Sequence, residues 1–348
     1  MKALVVIASD RFSDHLNPPG HPERVERAEV MQAVASTWRA RGGAVAAARA
    51  ATREELLRVH SAAYLRTIDD TAGHAVALDP DTFTSPASRD VAVLAAGAAI
   101  LATETVMAAS PAAPRHAFAL VRPPGHHAER DRAMGFCLFN NVAIAAAHAL
   151  ASGLGRVAIV DYDVHHGNGT QQAFYEDPRV LYVSTHQYPH YPGTGGAAEV
   201  GRAAGEGFTV NVPLEAGATD GDYDTVFRAL VVPLLEQFRP ELVLVSAGFD
   251  AHERDPLGCM RLSAAGYASL TRQVCTVAGQ CCDDRVVLVT EGGYDLRALE
   301  VCLESTMVAA SSFGPEDAGS TGRGAGPTGR SLAAIAAVRA AQRRYWQI

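Results

Sequence analysis

Lysine is almost missing from this chain. Lys2 is the only one in 348 residues, so nearly all of the 30 basic side chains are arginine. Like the abundance of alanine, that bias reads as genome composition and carries no functional weight. Positive charge is also outnumbered, because 38 acidic residues leave a formal net charge of -8. No broad electrostatic footprint for nucleic acid is expected on such a surface. Long hydrophobic runs are scarce too. The apolar run at 3–8 is too short for a signal-peptide core, and no stretch is expected to reach the roughly 20 residues of a membrane span, so no membrane partner is expected. The six cysteines (137, 259, 275, 281, 282 and 302) show no CxxC pair and no regular spacing, and Cys281 and Cys282 are adjacent. That pattern argues against a disulfide framework and fits a reducing, cytoplasmic compartment.

What is present is a 48% hydrophobic chain in regular alternation. Short β-rich runs predict strands at Ala3–Ile7, Ala44–Ala48, His116–Val121, Val157–Val160, Val180–Ser184, Thr209–Val212, Leu242–Ser246 and Val286–Val289. Helices are predicted at Pro22–Ala40, Arg89–Ala108, Asn140–Ala151, Asp222–Phe238, Ala264–Cys281 and Leu296–Ala310. Four of the strand runs, from Val157, Val180, Leu242 and Val286, are nearly continuous apolar stretches, as strands covered on both faces require. The alternation predicts an α/β fold with one mostly parallel sheet of about eight strands and helices on both faces. The expected organisation is one domain over 1–312, a Gly/Pro/Ser-rich linker over 313–330, and a C-terminal helix over 331–348 docked on the same domain.

Five predicted strands run directly into polar clusters: Arg122–His127, Asp161–Thr170, Ser184–His186, Ser246–Asp250 and Thr290–Tyr294. In an open parallel sheet, ligands bind beyond the carboxyl ends of the strands, so these clusters predict one shared site. Alternate residues of an extended segment point to one side, so Asp163 and His165 can reach one ion together, and Asp250 supplies a third ligand from a neighbouring strand end. By itself an aspartate–histidine pair in a loop is more often a hydrogen bond than a ligand set; Asp250 and the paired histidines favour the metal. One nitrogen and two oxygens leave an open coordination position, the mark of a catalytic site, and suit Zn²⁺ while also accepting Fe²⁺ or Co²⁺. His126 and His127 follow a Pro-Pro-Gly turn and suit general acid, general base and electrostatic roles. Asp161 and Asn168 are the available partners for their second nitrogens.

Six motifs lie in order along the chain. They are Arg122-Pro-Pro-Gly-His-His-Ala128, Gly135-Phe-Cys-Leu-Phe-Asn-Asn141, Asp161-Tyr-Asp-Val-His-His-Gly-Asn-Gly-Thr-Gln171, Tyr191-Pro-Gly-Thr-Gly195, Ser246-Ala-Gly-Phe-Asp-Ala-His252 and Glu291-Gly-Gly-Tyr294. With His21-Pro-Glu-Arg24 they closely resemble the zinc-dependent histone deacetylase family, which includes bacterial histone deacetylase-like and acetylpolyamine amidohydrolases. The resemblance implies the arginase–deacetylase fold and hydrolysis of an N-acyl amide at a single zinc held by Asp163, His165 and Asp250. It pairs His126 with Asp161 and His127 with Asn168, and asparagine at 168 resembles the class II branch, which leaves open which imidazole is the base. Tyr294 matches the tyrosine that stabilises the oxyanion. Phe136, after Gly135, and Tyr191 match the walls of an acyl-lysine tunnel, and Asp81 a rim residue that hydrogen-bonds substrate backbone. Asp161, Ser184 and the backbone carbonyls of Asp163, His165 and Thr185 match a structural potassium site.

Two substrate classes follow from the resemblance: an acyl-lysine in a protein or peptide, and a small N-acetylamine such as an acetylpolyamine. Leu257 stands where lysine deacetylases carry leucine and a polyamine-selective relative carries glutamate, which favours acyl-lysine; Glu129, Asp131 and Asp81 are further acidic candidates for the rim. An arginase-like ureohydrolase would need a second metal and a paired aspartate that Gly248–His252 does not supply. An inactive acyl-group binder fits poorly with both histidines and Tyr294 in place.

Overall fold

The computed structural model describes residues 4–110, 112–312 and 326–348. Its strands are β1 (Leu4–Ala8), β2 (Ala44–Ala47), β3 (Ala77–Asp79), β4 (Thr82–Phe83), β5 (His116–Ala119), β6 (Val157–Asp161), β7 (Val180–Gln187), β8 (Thr209–Leu214), β9 (Leu242–Ala247) and β10 (Val286–Thr290). Eight of them form one sheet in the order β2-β1-β5-β10-β9-β6-β7-β8, with every pairing parallel; β3 and β4 form a small antiparallel hairpin. The five strands that run into polar clusters are therefore adjacent, β5-β10-β9-β6-β7.

The helices are α1 (Glu26–Ala40), α2 (Arg53–Leu57), α3 (Ala62–Asp69), α4 (Ser88–Met107), α5 (Asn141–Ala151), α6 (Asn168–Phe174), α7 (Asp220–Val226), α8 (Val232–Phe238), α9 (Ala264–Cys281), α10 (Leu296–Ser312) and α11 (Gly329–Gln342). Side chains alternate between two cores along the central strands. Ala158, Val160, Val243, Val245 and Leu288 face one core with α1, α9, α10 and α11; Val157, Ile159, Leu242, Leu244 and Val287 face the other with α3, α4 and α5. This double cover explains the apolar runs, since each fully buried Val, Leu or Ile contributes about 1.5–3 kcal/mol.

Three features depart from the sequence reading. Asp222–Phe238 is not one α-helix: α7 and α8 are joined by a π-helical turn, Phe227–Val231, just before Pro233, which has no N–H to continue an α-helical ladder. Helix α4 is long and apolar enough to cross a membrane, contrary to the expectation that no segment would be, but most of it is buried as the central helix of one core. The hairpin β3–β4 and helices α2, α3 and α6 are too short for their periodicity to stand out. Of the expected linker, 313–325 lies outside the described residues. Helix α11 packs on β8 and α7, where Gln342 donates to the Thr209 carbonyl at 2.7 Å. All six cysteines are free thiols.

Beneath the catalytic loops lies a buried ion-pair hub. Glu23 meets the guanidinium groups of Arg122 (2.6 Å) and Arg27 (2.9 Å) and also His15 (3.5 Å). Arg122 donates to the carbonyls of Phe12, His15 and Glu23, so it braces the N-terminal loop, while Arg27 donates to the carbonyls of Glu291 and Gly293. Burial alone would raise the Glu23 carboxyl, but Arg122, His15 and Arg27 outweigh it and hold the group far below its ordinary 4.5. A depressed native value stabilises the fold above pH 4.5, and that contribution is lost as pH falls below it. Glu23→Gln leaves two buried guanidinium groups without counter-charge and is predicted to cost about 3–5 kcal/mol in urea unfolding at pH 7. It is also predicted to flatten the loss of stability that the parent protein shows between pH 5 and 3; an unchanged acid limb would refute this role.

Candidate active site

The end of β6 and the loop after it carry three acids and bases in alternation, and each is fastened by backbone. Asp161 pairs with Ser184 and Ser246 in the neighbouring strands. Its side chain accepts from the Asp163 N–H (3.2 Å), the Tyr182 hydroxyl (3.1 Å) and His126 Nδ1 (3.1 Å). Asp163 accepts from the His165 N–H (2.9 Å) and the Gly292 N–H (2.8 Å), and Asp250 from the Val164 N–H (2.8 Å). Gly248 and Gly292 leave room for these carboxylates, because a Cβ at either would overlap Asp163 or Asp250.

Asp163, His165 and Asp250 converge as expected from their spacing. All three are buried, and their ligating atoms lie within 4.8 Å of one another. His165 Nδ1 is 3.1 Å from Asp163 Oδ1 and 3.2 Å from Asp250 Oδ2. Burial disfavours imidazolium, but the two carboxylates outweigh it and raise His165 to about 10. That Asp250 oxygen, Oδ2, is buried and makes no well-directed hydrogen bond, His165 Nδ1 being its close ionic neighbour. A buried carboxylate oxygen without a well-directed hydrogen bond is costly, and a cation shared with Asp163 and His165 would satisfy it more fully. The donor set therefore fits a divalent ion of the Zn²⁺ class. A second cluster, Glu55, Glu104 and His148, is a different case: Arg49 bridges both glutamates at 2.8 Å and Arg58 lies 2.9 Å from His148, so its charges are already compensated. In the expected potassium cradle, Ser184 hydrogen-bonds His186 Nδ1 (2.9 Å) and Thr185 the Asp161 carbonyl (3.4 Å). No side-chain atom of Asp161, Ser184 or Thr185 is left unpartnered, so no orphan atom there argues for a second ion.

The tandem histidines sit beside this set in contrasting environments. His126 Nδ1 lies against Asp161, and although burial works against its charged form, Asp163, Asp161 and Glu291 raise it to about 10. His127 Nδ1 lies 2.8 Å from Asn168 Oδ1, and burial followed by the proximity of His126 and His165 drives it well below 6.5. Two adjacent imidazoles are thus pushed apart, one towards a fixed charge and one towards a neutral base.

Aromatic side chains wall the approach. Tyr191 meets His127 edge-on (5.1 Å) and Phe136 meets Tyr294 edge-on (5.7 Å). Phe136 adopts φ 69°, a left-handed conformation uncommon for a side chain with Cβ, and it follows Gly135 at φ 57°, where a Cβ would strike the His127 ring. The hairpin holds this turn: Asp81 Oδ1 accepts the Gly135 N–H (3.2 Å) and Thr82 Oγ1 the Phe136 N–H (3.0 Å). Leu257 and Tyr294 border a cleft of about 640 Å³ at the loop 16–26. The expectation that Glu129 and Asp131 line the same mouth is not met. Both border a separate cleft of about 770 Å³ behind Asn168, which does not include Phe136, Tyr191, Leu257 or Tyr294.

Several supporting residues escaped the sequence reading. Glu291 accepts the N–H groups of Gly125 (2.6 Å) and His126 (3.1 Å). Asp255 accepts those of Tyr294 (2.6 Å) and Leu257 (2.9 Å). The Arg27 guanidinium lies over the Tyr294 ring at 4.9 Å, and His190 stacks on His165 at 5.1 Å. Their contacts reach up to 266 residues along the chain, which no local pattern encodes.

A parallel α/β sheet with this set of groups at its central strand ends has the architecture of a hydrolase. The histone deacetylase domain family matches residues 21–310. A probable deacetylase of Archaeoglobus fulgidus is 40% identical over 294 residues, covering 84% of this chain and 81% of its own length. The histone deacetylase-like amidohydrolase of Pseudomonas aeruginosa is 42% identical over 257 residues, 72% of this chain and 66% of that protein. Histone deacetylase 14 of Arabidopsis thaliana, chloroplastic, is 43% identical over 72% of this chain, which spans 62% of that protein. The crystal structure of the HDA15 HD domain superposes with a TM-score of 0.89 at 36% identity, covering 99% of this chain and 95% of that one. This chain belongs to the histone deacetylase family. It has the arginase–deacetylase fold and is a hydrolase of acyl amides.

The donor set makes a prediction independent of catalysis. Adding Zn²⁺ to metal-stripped protein is predicted to raise the unfolding temperature, since a ligand at about 1,000 times its dissociation constant stabilises by about 4 kcal/mol. Asp250→Asn is predicted to abolish that rise while leaving the stripped protein at least as stable, because burial and the neighbouring Asp163 carboxylate already disfavour a charge on Asp250. An undiminished rise in the variant would remove Asp250 from the ligand set.

Proposed function

We propose that this chain hydrolyses the acyl amide of acyl-lysine in peptides or proteins, with Asp163, His165 and Asp250 holding a Zn²⁺ ion. The observation that carries this reading is the convergence of buried Asp163, His165 and Asp250 within 4.8 Å, beside a tandem pair of imidazoles in opposite electrostatic states. The bound ion would supply Lewis acidity towards the acyl oxygen and a lowered pKa for water. The remaining chemistry belongs to the protein. His127, kept neutral by burial and its cationic neighbours, takes the proton of the attacking water and returns it to the leaving amine. His126, paired with Asp161, stays charged and offsets the negative charge that builds during attack. Tyr294, whose hydroxyl burial keeps protonated, donates to the developing oxyanion. Phe136 and Tyr191 hold the apolar stem of the substrate.

The choice of acyl-lysine over a small polyamine amide rests on the mouth. Leu257 offers no charge there, the cleft beside it carries Arg24 and Glu26 together, and Glu129 and Asp131 face elsewhere. A second substrate ammonium would find no isolated carboxylate in that cleft, and Asp81, beside Phe136, already accepts from the Gly135 N–H and the Thr82 hydroxyl. Two measurements test these assignments on zinc-loaded enzyme. Turnover of acetyl-lysine peptides is predicted to exceed that of N-acetylputrescine and N-acetylspermidine by about tenfold or more, the weight of one unpaired charge; the reverse preference would overturn the substrate assignment. Tyr294→Phe is predicted to lower kcat by roughly 10²–10³ with metal content unchanged, about 3–4 kcal/mol of oxyanion stabilisation. A rate near that of the parent enzyme would remove Tyr294 from the mechanism.

A further inference from the structure

We propose that Glu129 is a positioning residue for His127, acting through Asn168 to fix which imidazole nitrogen carries the proton. This deepens the amidohydrolase reading above and rests on it. The three side chains form one line of hydrogen bonds: His127 Nδ1 is 2.8 Å from Asn168 Oδ1, and Asn168 Nδ2 is 2.8 Å from Glu129 Oε1. A carboxylate can only accept hydrogen bonds, so the end of the asparagine amide that faces Glu129 must be its NH₂ group. The amide oxygen then necessarily faces His127, and because that oxygen also only accepts, Nδ1 must bear the imidazole hydrogen. A neutral imidazole has one such hydrogen, so Nε2 is left bare as the basic atom. The reversed amide would present NH₂ to Nδ1, move the hydrogen to Nε2 and cancel the base.

Asn168 alone does not settle this choice. Among the described residues, its NH₂ group meets, besides Glu129, the sulfur of Met134 at 3.4 Å, a weak acceptor. The carboxylate supplies the bias, because charge-assisted hydrogen bonds are roughly twice as strong as neutral ones. Glu129 enters none of the ion pairs found among the described residues, so its charge is not spent on an arginine. The backbone around the relay is held in place: the Thr170 N–H donates to the His126 carbonyl (3.1 Å), the Asn140 amide to the Ala128 carbonyl (3.2 Å), and a Cβ at Gly169 would strike Ala128. Glu129 itself is half-buried at the edge of the 770 Å³ cleft, so its replacement opens no hole in either core.

The geometry points to a charge-swap experiment on zinc-loaded enzyme, read by kcat and KM on an acetyl-lysine peptide and by ¹⁵N NMR of the His127 imidazole. Glu129→Ala is expected to lower kcat about tenfold, the weight of one hydrogen-bond bias, with KM within about twofold. Asn168→Asp is expected to lose activity as well, because it sets two carboxylates at hydrogen-bond distance. The double variant Glu129→Gln with Asn168→Asp is expected to recover to within about threefold of the parent, since the new aspartate accepts from both His127 Nδ1 and the glutamine amide. The NMR spectrum should show the Nδ1–H tautomer in the parent and the double variant, and a shift towards Nε2–H in Glu129→Ala. Unchanged kcat and tautomer in Glu129→Ala, or losses that simply add in the double variant, would overturn the proposal. Should the zinc-loaded parent hydrolyse no acyl amide, the functional reading fails separately, and the tautomer shift still decides whether Glu129 orients His127.

Discussion

Two carboxylates and one imidazole buried within reach of a single ion form the constraint on which the rest of this molecule depends. Like charges placed together in a low-dielectric interior repel strongly, and such a cluster persists only where something positive is shared among its members. A proton on His165 can do this between Asp163 and Asp250, which is why burial fails to depress that imidazole. A proton on His165 makes no well-directed hydrogen bond to Asp250 Oδ2, and a divalent cation answers the need of both carboxylates more completely. The sheet makes the cluster possible. Adjacent parallel strands β6 and β9 deliver Asp163, His165 and Asp250 from neighbouring ends, and Gly248 and Gly292 remove the side chains that would keep them apart.

Around this centre, buried carboxylates serve as fasteners for backbone. Glu291, just past the end of β10, holds the turn that carries His126; Asp255, beyond β9, holds Tyr294 and Leu257; Asp163 in turn receives the N–H of Gly292. These bonds connect the loops of neighbouring strands in a continuous series. Hydrogen bonds to charged acceptors contribute about 1.5–3 kcal/mol each, enough to hold reacting groups to the narrow tolerances that catalysis needs. Below them, Glu23 ties Arg122 and Arg27 together, so the N-terminal loop is fixed to the two loops that carry His126 and Tyr294.

Much of this was legible in the chain itself. All eight strands of the main sheet were visible as short apolar runs; in the central ones burial on both faces removes polar alternation, whereas the partly exposed edge strand β2 is legible only as an alanine–valine run. The metal triad was readable because two of its members stand in alternation after one strand and the third follows a neighbouring one. The parts that escaped depend on distance along the chain rather than on pattern. Hairpin β3–β4 is five residues of strand in all, yet it sets the conformation of Phe136 from 54 residues away. The π-helical turn before Pro233 interrupts an otherwise continuous helical pattern. Glu129 was read as a rim acid, whereas the fold turns it towards Asn168. A membrane-length apolar helix, α4, went unremarked because a core helix and a membrane span share one composition.

The central claim is that Asp163, His165 and Asp250 share a single ion. Diffraction from crystals grown with Zn²⁺, recorded on both sides of the zinc absorption edge, tests it most directly. The account predicts one strong anomalous peak per chain, in contact with Nδ1 of His165 and with carboxylate oxygens of Asp163 and Asp250 at about 2.0–2.3 Å. Zinc bound only elsewhere, for instance at Glu55, Glu104 and His148, with the Asp163–His165–Asp250 cluster empty, would contradict it.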